Sequence, residues 1–229
     1  MSEIKNLKVS AAGEAQEERR GIRIILASSS PRRLQLLKSI GLEFDVVASQ
    51  LEEVIDENLT PEALVRNLAK QKATDVFQSL SKHSNNILVI GADTMVVLDG
   101  RFLGKPVDDA DAKLMLTKLS GRTHLVFTGV HILSKKADNS TQYLETVEQT
   151  HVTFRKLQEK EIEAYIATRE PMDKAGAYAL QGIGSALVAG VNGCCTNVIG
   201  LPIPRVVSML RELGVPVLGI PACQEDLSK

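Results

Sequence analysis

Residues 122–134 and 142–154 alternate in the manner of two long strands and flank the polar turn KKADNST, so together they read as one long antiparallel hairpin. This hairpin constrains the fold more than any other feature. Around it, short apolar runs alternate with helical patterns, which by itself would point to a parallel sheet. A hairpin of that length cannot belong to a purely parallel sheet. The expectation is therefore an α/β fold with a mixed, twisted sheet.

The remaining elements follow from local signals. Residues 22–27 (IRIILA) read as a buried strand, followed by a helix from Pro31 to about Ile40 that Gly41 stops. Residues 43–48 read as a second strand. Thr60-Pro61-Glu62 is a helix start, with a capping hydroxyl, proline in the first helical position and an acid in the first turn. That helix runs to about Leu80. Two apolar strands, 87–91 and 94–98, are expected around Ala92-Asp93. Asp108 caps a helix to about Leu119, residues 158–168 form another, 185–191 a strand, and 202–213 a final helix ending at Gly214. The polar segment 1–21 is expected to be a tail, 22–214 a single domain of two lobes, and 215–229 a C-terminal tail.

Composition excludes several function classes. Twenty-seven Lys and Arg against 28 Asp and Glu give a net charge of −1, without the basic excess of a duplex-binding protein. Aromatic residues are 3% with no Trp, a poor supply for stacking single-stranded nucleic acid. No apolar run reaches the ~18 residues of a membrane span. Three cysteines form no even framework and fit a reducing cytoplasm; Cys194 and Cys195 read as structural. No histidine has zinc-ligand spacing.

The strongest chemical signal is Ser28-Ser29-Ser30-Pro31-Arg32-Arg33, where a buried strand meets a helix. A helix start carries partial positive charge, so two arginines in its first turn are repelled unless an anion is shared between them and the backbone N–H groups. Arg forks match phosphate oxygens, and the hydroxyls of Ser28 and Ser30 add donors. The plainer alternative is a solvated Arg pair beside a capped helix. Asp93, between VI and MVVL, is a carboxylate among apolar residues and needs a partner. Beside phosphate it would hold a divalent metal or activate water; otherwise it caps a turn. An aspartyl-phosphate route would want a second acid where Met95 stands. Lys72 lies on the apolar stripe of Val65, Leu68, Ala69, Ala73 and Val76, and either snorkels or points into a site. Glu52-Glu53 is a solvated pair or a metal acid. Lys105 follows GRFLG, but Pro106 replaces the hydroxyl residue a phosphate-binding loop requires. Gly182-Ile183-Gly184 lacks the third glycine of a dinucleotide loop. In 173–182, the Gln181 amide both donates and accepts and suits a base edge.

Six segments in this order, LASSSPRR (26–33), GADT (91–94), GKP (104–106), LSGRTH (119–124), DKAGAYALQG (173–182) and IGLP (199–202), resemble the Maf family of nucleoside triphosphate pyrophosphatases. The resemblance covers about 22–214. It implies an elongated two-lobed α/β fold related to inosine triphosphate pyrophosphatases, with a cleft between the lobes. It also implies cleavage of a nucleoside triphosphate between the α and β phosphates with Mg²⁺ or Mn²⁺, and a homodimer. On it, Asp93 matches the catalytic carboxylate. Ser28, Arg33, Lys72 and Lys105 match the phosphate side, and Glu53 the metal side. Arg32, Thr94 and Gln181 match the branch acting on dTTP and UTP, whereas a 7-methyl-GTP branch tends to carry Trp, Gln and Glu there. Gly104 departs from the acid common in the dTTP/UTP branch. Other purine triphosphates, and a nucleotide-binding role in cell division, are the alternative readings.

Overall fold

The computed structural model describes residues 22–51, 56, 58–81 and 86–219. In chain order the strands are β1 (Arg23–Leu26), β2 (Asp45–Val46), β3 (Ile87–Leu98), β4 (Arg101–Leu103), β5 (Thr123–Lys135), β6 (Thr141–Phe154) and β7 (Val188–Asn192). The helices are α1 (Pro31–Ser39), α2 (Pro61–Leu80), α3 (Asp109–Leu119), α4 (Glu159–Ala167), α5 (Cys195–Ile199) and α6 (Ile203–Glu212). The described strands make one mixed sheet in the order β2-β1-β3-β5-β6-β7, with β4 also on β3. β1 runs parallel to β2 and β3, and the other pairings are antiparallel. The mixed sheet and the long β5–β6 hairpin are as the sequence implies.

β3 organises the molecule. Its residues alternate between two covered faces, which is why it is apolar almost throughout. On one face Ile87, Val89, Met95 and Val97 pack under α2, which spans the whole strand. On the other face, Leu88, Ile90 and Ala92 pack with α1 and α6, while Val96 and Leu98 pack with α3 and α4. These are two separate apolar clusters along one strand, and Thr94 lies between them. The edges of β3 also differ. β5 pairs with it from Ile87 to Val97. On the opposite edge, β1 pairs with Ile87–Ile90 and β4 with Val96–Leu98. No described strand pairs with residues 91–95 there, and the sheet opens into a cleft at that gap.

Several expectations are corrected. Residues 87–91 and 94–98 are one strand, not two, because β5 carries the ladder through Ala92 and Asp93. Asp93 therefore sits mid-strand rather than at a turn. The strand expected at 43–48 shrinks to Asp45 and Val46, both exposed at the sheet edge. The strand expected from 185 begins at Val188, after a 3₁₀ turn over Gly182–Leu187. β4 and α5 carry no clear sequence signal. Packing also continues past Gly214, since Val215 and Val217 are 2% and 1% exposed in the α1–α6 core. Residues 1–21, 220–229 and Glu53 lie outside the described residues.

Candidate active site

A cavity of about 600 Å³ occupies the gap in β3's edge. Ser28, Ser30, Arg32, Arg33, Lys72, Asp93, Thr94, Lys105 and Gln181 all line it. These are the sequence-predicted site residues within the described chain, gathered from segments far apart in sequence.

Asp93 is 6% exposed and projects from β3 toward the α2 face. Lys72 Nζ lies 2.6 Å from Asp93 Oδ1. A carboxylate this buried needs such a partner. Lys72 reaches it because α2 packs against the sheet at two glycines. A Cβ on Gly91 would stand 2.3 Å from the Ala69 carbonyl oxygen, and one on Gly129 the same distance from that of Val65. Gly129 is the register partner of Asp93 on β5. The stripe read from the sequence, Val65, Leu68, Ala69, Ala73 and Val76, is buried as expected, and Lys72 leaves it for the cleft.

The opposite face of β3 holds Thr94 and Arg33. Arg33 donates from Nη2 to Thr94 Oγ1 (3.1 Å), from Nη1 to Ser28 Oγ (3.2 Å) and from Nε to the Gly200 carbonyl (2.8 Å). Thr94 Oγ1 also lies 2.9 Å from Thr128 Oγ1. This ties the β1–α1 loop, β3, β5 and the IGLP segment into one unit. Ser30 stands just before α1 and makes no capping side-chain bond; its N–H donates to Ser28 Oγ. Arg32 turns the other way and pairs with Asp173 at 3.0 Å, an ion pair that joins α1 to the segment after α4. Burial works to raise the Asp173 carboxyl, but the hydrogen bonds from Lys174 and Arg32 outweigh it and hold it below the usual carboxylate range.

Asp173, Lys174 and Gly200 are cleft residues that sequence reasoning did not single out individually. Their segments, DKAGAYALQG and IGLP, were visible, but nothing local marks which residue turns inward. Tyr178 is a further one. It lines the cleft, is 5% exposed and bonds through its hydroxyl to His124 Nε2 at 2.8 Å. None of LSGRTH lines the cavity. Its Arg122 pairs with Asp99, and its Ser120 accepts from the Leu157 N–H. Cys194 begins α5 and exchanges hydrogen bonds with Thr150, which fits a structural role.

The model of the family described as Maf-like protein matches residues 23–213. The chain belongs to this family. It is 46% identical over 196 residues to the dTTP/UTP pyrophosphatase of Caldicellulosiruptor saccharolyticus, covering 86% of this chain and 97% of that one. The dTTP/UTP pyrophosphatase of Pelotomaculum thermopropionicum is 47% identical over 196 residues, 85% of this chain and 98% of the relative. A solved structure, a nucleoside-triphosphatase/dITP/XTP pyrophosphatase from Mycobacterium abscessus, aligns over 83% of this chain and 94% of its own at 14% identity and a TM-score of 0.37.

For this Maf-like chain, a divalent metal fits the donor set in one way. Among the described residues no group of three His, Cys, Asp or Glu is poised to hold an ion. The cleft offers the Asp93 carboxylate beside cationic groups suited to phosphate. That suits Mg²⁺, which binds through one or two carboxylates and completes its shell with phosphate oxygens and water. Among the described residues, no helix is long and apolar enough to cross a membrane.

Proposed function

We propose that the chain is a nucleoside triphosphate pyrophosphatase that hydrolyses dTTP and UTP, and modified pyrimidine nucleotides, to the monophosphate and pyrophosphate. The observation that supports this reading best is the cleft that gathers Asp93 with Arg32, Arg33, Lys72 and Lys105. One buried carboxylate beside four of the cleft's cationic side chains suits a polyanion and a proton acceptor. Relatives at 46–47% identity carry the name dTTP/UTP pyrophosphatase, in support of the same substrates.

Arg32, Arg33, Lys72 and Lys105 hold the triphosphate, with Ser28 and Ser30 as further donors. Asp93 accepts the proton of the attacking water. The water oxygen forms a bond to the α phosphorus. The bond from that phosphorus to the bridging oxygen breaks, and pyrophosphate leaves with the electron pair. Asp93 and Glu53 would hold a divalent cation, which would supply neutralisation of the charge that develops on the phosphate oxygens. Gln181 presents a donor and an acceptor to the neutral edge of uracil or thymine, alongside Arg32 and Thr94. We place the enzyme in the cytoplasm, as a homodimer, clearing non-standard nucleotides from the pool.

The test is pyrophosphate release from dTTP, UTP, CTP, GTP and 7-methyl-GTP with Mg²⁺ or Mn²⁺, beside Asp93→Ala and a chelated control. Release from dTTP and UTP that both the variant and chelation abolish supports the reading. Release mainly from 7-methyl-GTP overturns the substrate assignment.

A further inference from the structure

Gln181 lies in an irregular segment, yet its backbone is held on both sides from beneath. Arg169, in the left-handed region at φ 63°, ends α4 and turns Glu170 back under residues 178–184. The Glu170 carboxylate accepts from the N–H groups of Ile183 (3.1 Å) and Gly184 (2.9 Å). It also accepts from the Tyr165 hydroxyl at 2.9 Å. That hydroxyl in turn accepts from the Ala179 N–H at 3.2 Å. The fixed amides thus stand two residues before Gln181 and two and three residues after it. Neither Tyr165 nor Glu170 lines the cleft.

The two glycines of Gly182-Ile183-Gly184 make room for this pair. A Cβ on Gly182 would stand 2.7 Å from Glu170 Oε2, and one on Gly184 2.5 Å from the Tyr165 hydroxyl oxygen. Gly182 also holds φ +68°, which disfavours other residues. Protonation states agree with the geometry. Burial and Glu170 together push the Tyr165 phenol up, so it stays a donor. Burial works to raise Glu170, but the Gly184 and Ile183 N–H groups and the Tyr165 hydroxyl prevail, and it stays ionised as an acceptor.

We propose that Glu170 and Tyr165 are positioning residues that fix the backbone on either side of Gln181 and thereby set base selectivity. The proposal rests on Gln181 reading the base. Holding a specificity group in place acts on discrimination between bases, while the phosphate chemistry lies elsewhere in the cleft.

The experiment measures kcat and KM for dTTP, UTP and CTP in the wild type, Glu170→Gln, Tyr165→Phe, Gln181→Ala and the Glu170→Gln/Gln181→Ala double variant. Unfolding midpoints accompany the kinetics. Glu170→Gln sets an amide donor against the Ile183 or Gly184 N–H. KM for dTTP and UTP is expected to rise about tenfold with kcat held within about threefold, and the preference for dTTP over CTP to fall by about tenfold. Tyr165→Phe shifts the same quantities in the same direction, and it decides the matter if Glu170→Gln does not fold. The double variant loses no more selectivity than Gln181→Ala alone. If Gln181→Ala erodes selectivity while Glu170→Gln and Tyr165→Phe spare it, or lower kcat equally for every nucleotide, the positioning role is overturned and base reading stands. If Gln181→Ala leaves selectivity intact, base reading by Gln181 falls and the proposal falls with it. A wild type that turns over none of these nucleotides overturns the proposed function itself.

Discussion

Lys72 Nζ stands 2.6 Å from Asp93 Oδ1, and the approach depends on residues that carry no side chain. Gly91 precedes Asp93 by two positions on β3, and Gly129 is its register partner on β5. Both lie directly under the α2 backbone, at Ala69 and Val65. A helix held this close to the sheet can place a lysine over the middle of a strand.

Gly129→Ala therefore acts at a distance on the site. The added methyl would meet backbone atoms at 2.3 and 2.5 Å, so α2 itself must shift. We expect a loss of about 2–3 kcal/mol in urea unfolding. Turnover per folded molecule should drop as well, because the shift opens the Lys72–Asp93 contact. Unchanged turnover in the folded fraction would show that the close packing serves stability alone.

Removing one partner of the ion pair leaves the other buried charge poorly compensated. Lys72→Met should cost about 1–3 kcal/mol of stability, less than for a fully enclosed pair because Asp93 faces a cleft. It should also lower kcat/KM about 10²-fold by removing a phosphate-side cation. Asp93→Asn keeps the shape but loses the proton acceptor, and kcat should fall by about 10³ or more with the fold retained. Pyrophosphate release and urea titration on the same preparations check both, and near-wild-type kcat in Asp93→Asn removes the base assignment.

Arg32 is engaged by Asp173, so an incoming phosphate has to compete with that carboxylate. Asp173→Asn withdraws the competing charge. KM for the triphosphate should fall about threefold at low salt, and inhibition by pyrophosphate should tighten similarly. Both effects should shrink at about 0.5 M salt, since the pair is solvent-accessible. A raised KM would mean instead that Asp173 orients Arg32 for phosphate.

Many of the residues that line the cleft were legible in the sequence because their signals are chemical misfits. Arginines at a helix start, an aspartate inside an apolar run and a lysine on an apolar stripe each need a partner, and the cleft supplies it. Asp93 reads from sequence as lying between two strands because a short apolar run carries no information on whether a neighbouring strand continues the ladder past it; β5 does. Glu170 and Tyr165 were invisible for a different reason. An acid after a helix and a buried tyrosine are ordinary locally, and their bonds to the 179–184 amides exist only in the folded chain. Gly182-Ile183-Gly184 fails as a dinucleotide loop in the sequence, and in the folded chain its two glycines make room for a carboxylate and a phenol.

His124 supplies a pH dependence whose sign is fixed by burial. It is 2% exposed, packs edge-on against Phe154 and Tyr178, and burial lowers its pKa from 6.5 to about 4. Below about pH 6.5 the unfolded chain takes up a proton that the folded chain refuses until about pH 4. Stability from this group is therefore complete above 6.5 and is lost as the pH falls through that window. Between pH 7.5 and 5 the loss comes to about 2 kcal/mol. His131 is also lowered by burial, against the opposing effect of Glu145, and adds to the same slope. His124→Gln retains a group able to bond Tyr178 but does not titrate. Its unfolding free energy at pH 7.5 should be lower than that of the wild type. Its loss on going to pH 5 should be smaller by about 2 kcal/mol, with the His131 contribution cancelling in the comparison. Urea titrations at the two pH values measure both differences, and equal losses in the two proteins would show that His124 takes up its proton in the folded state.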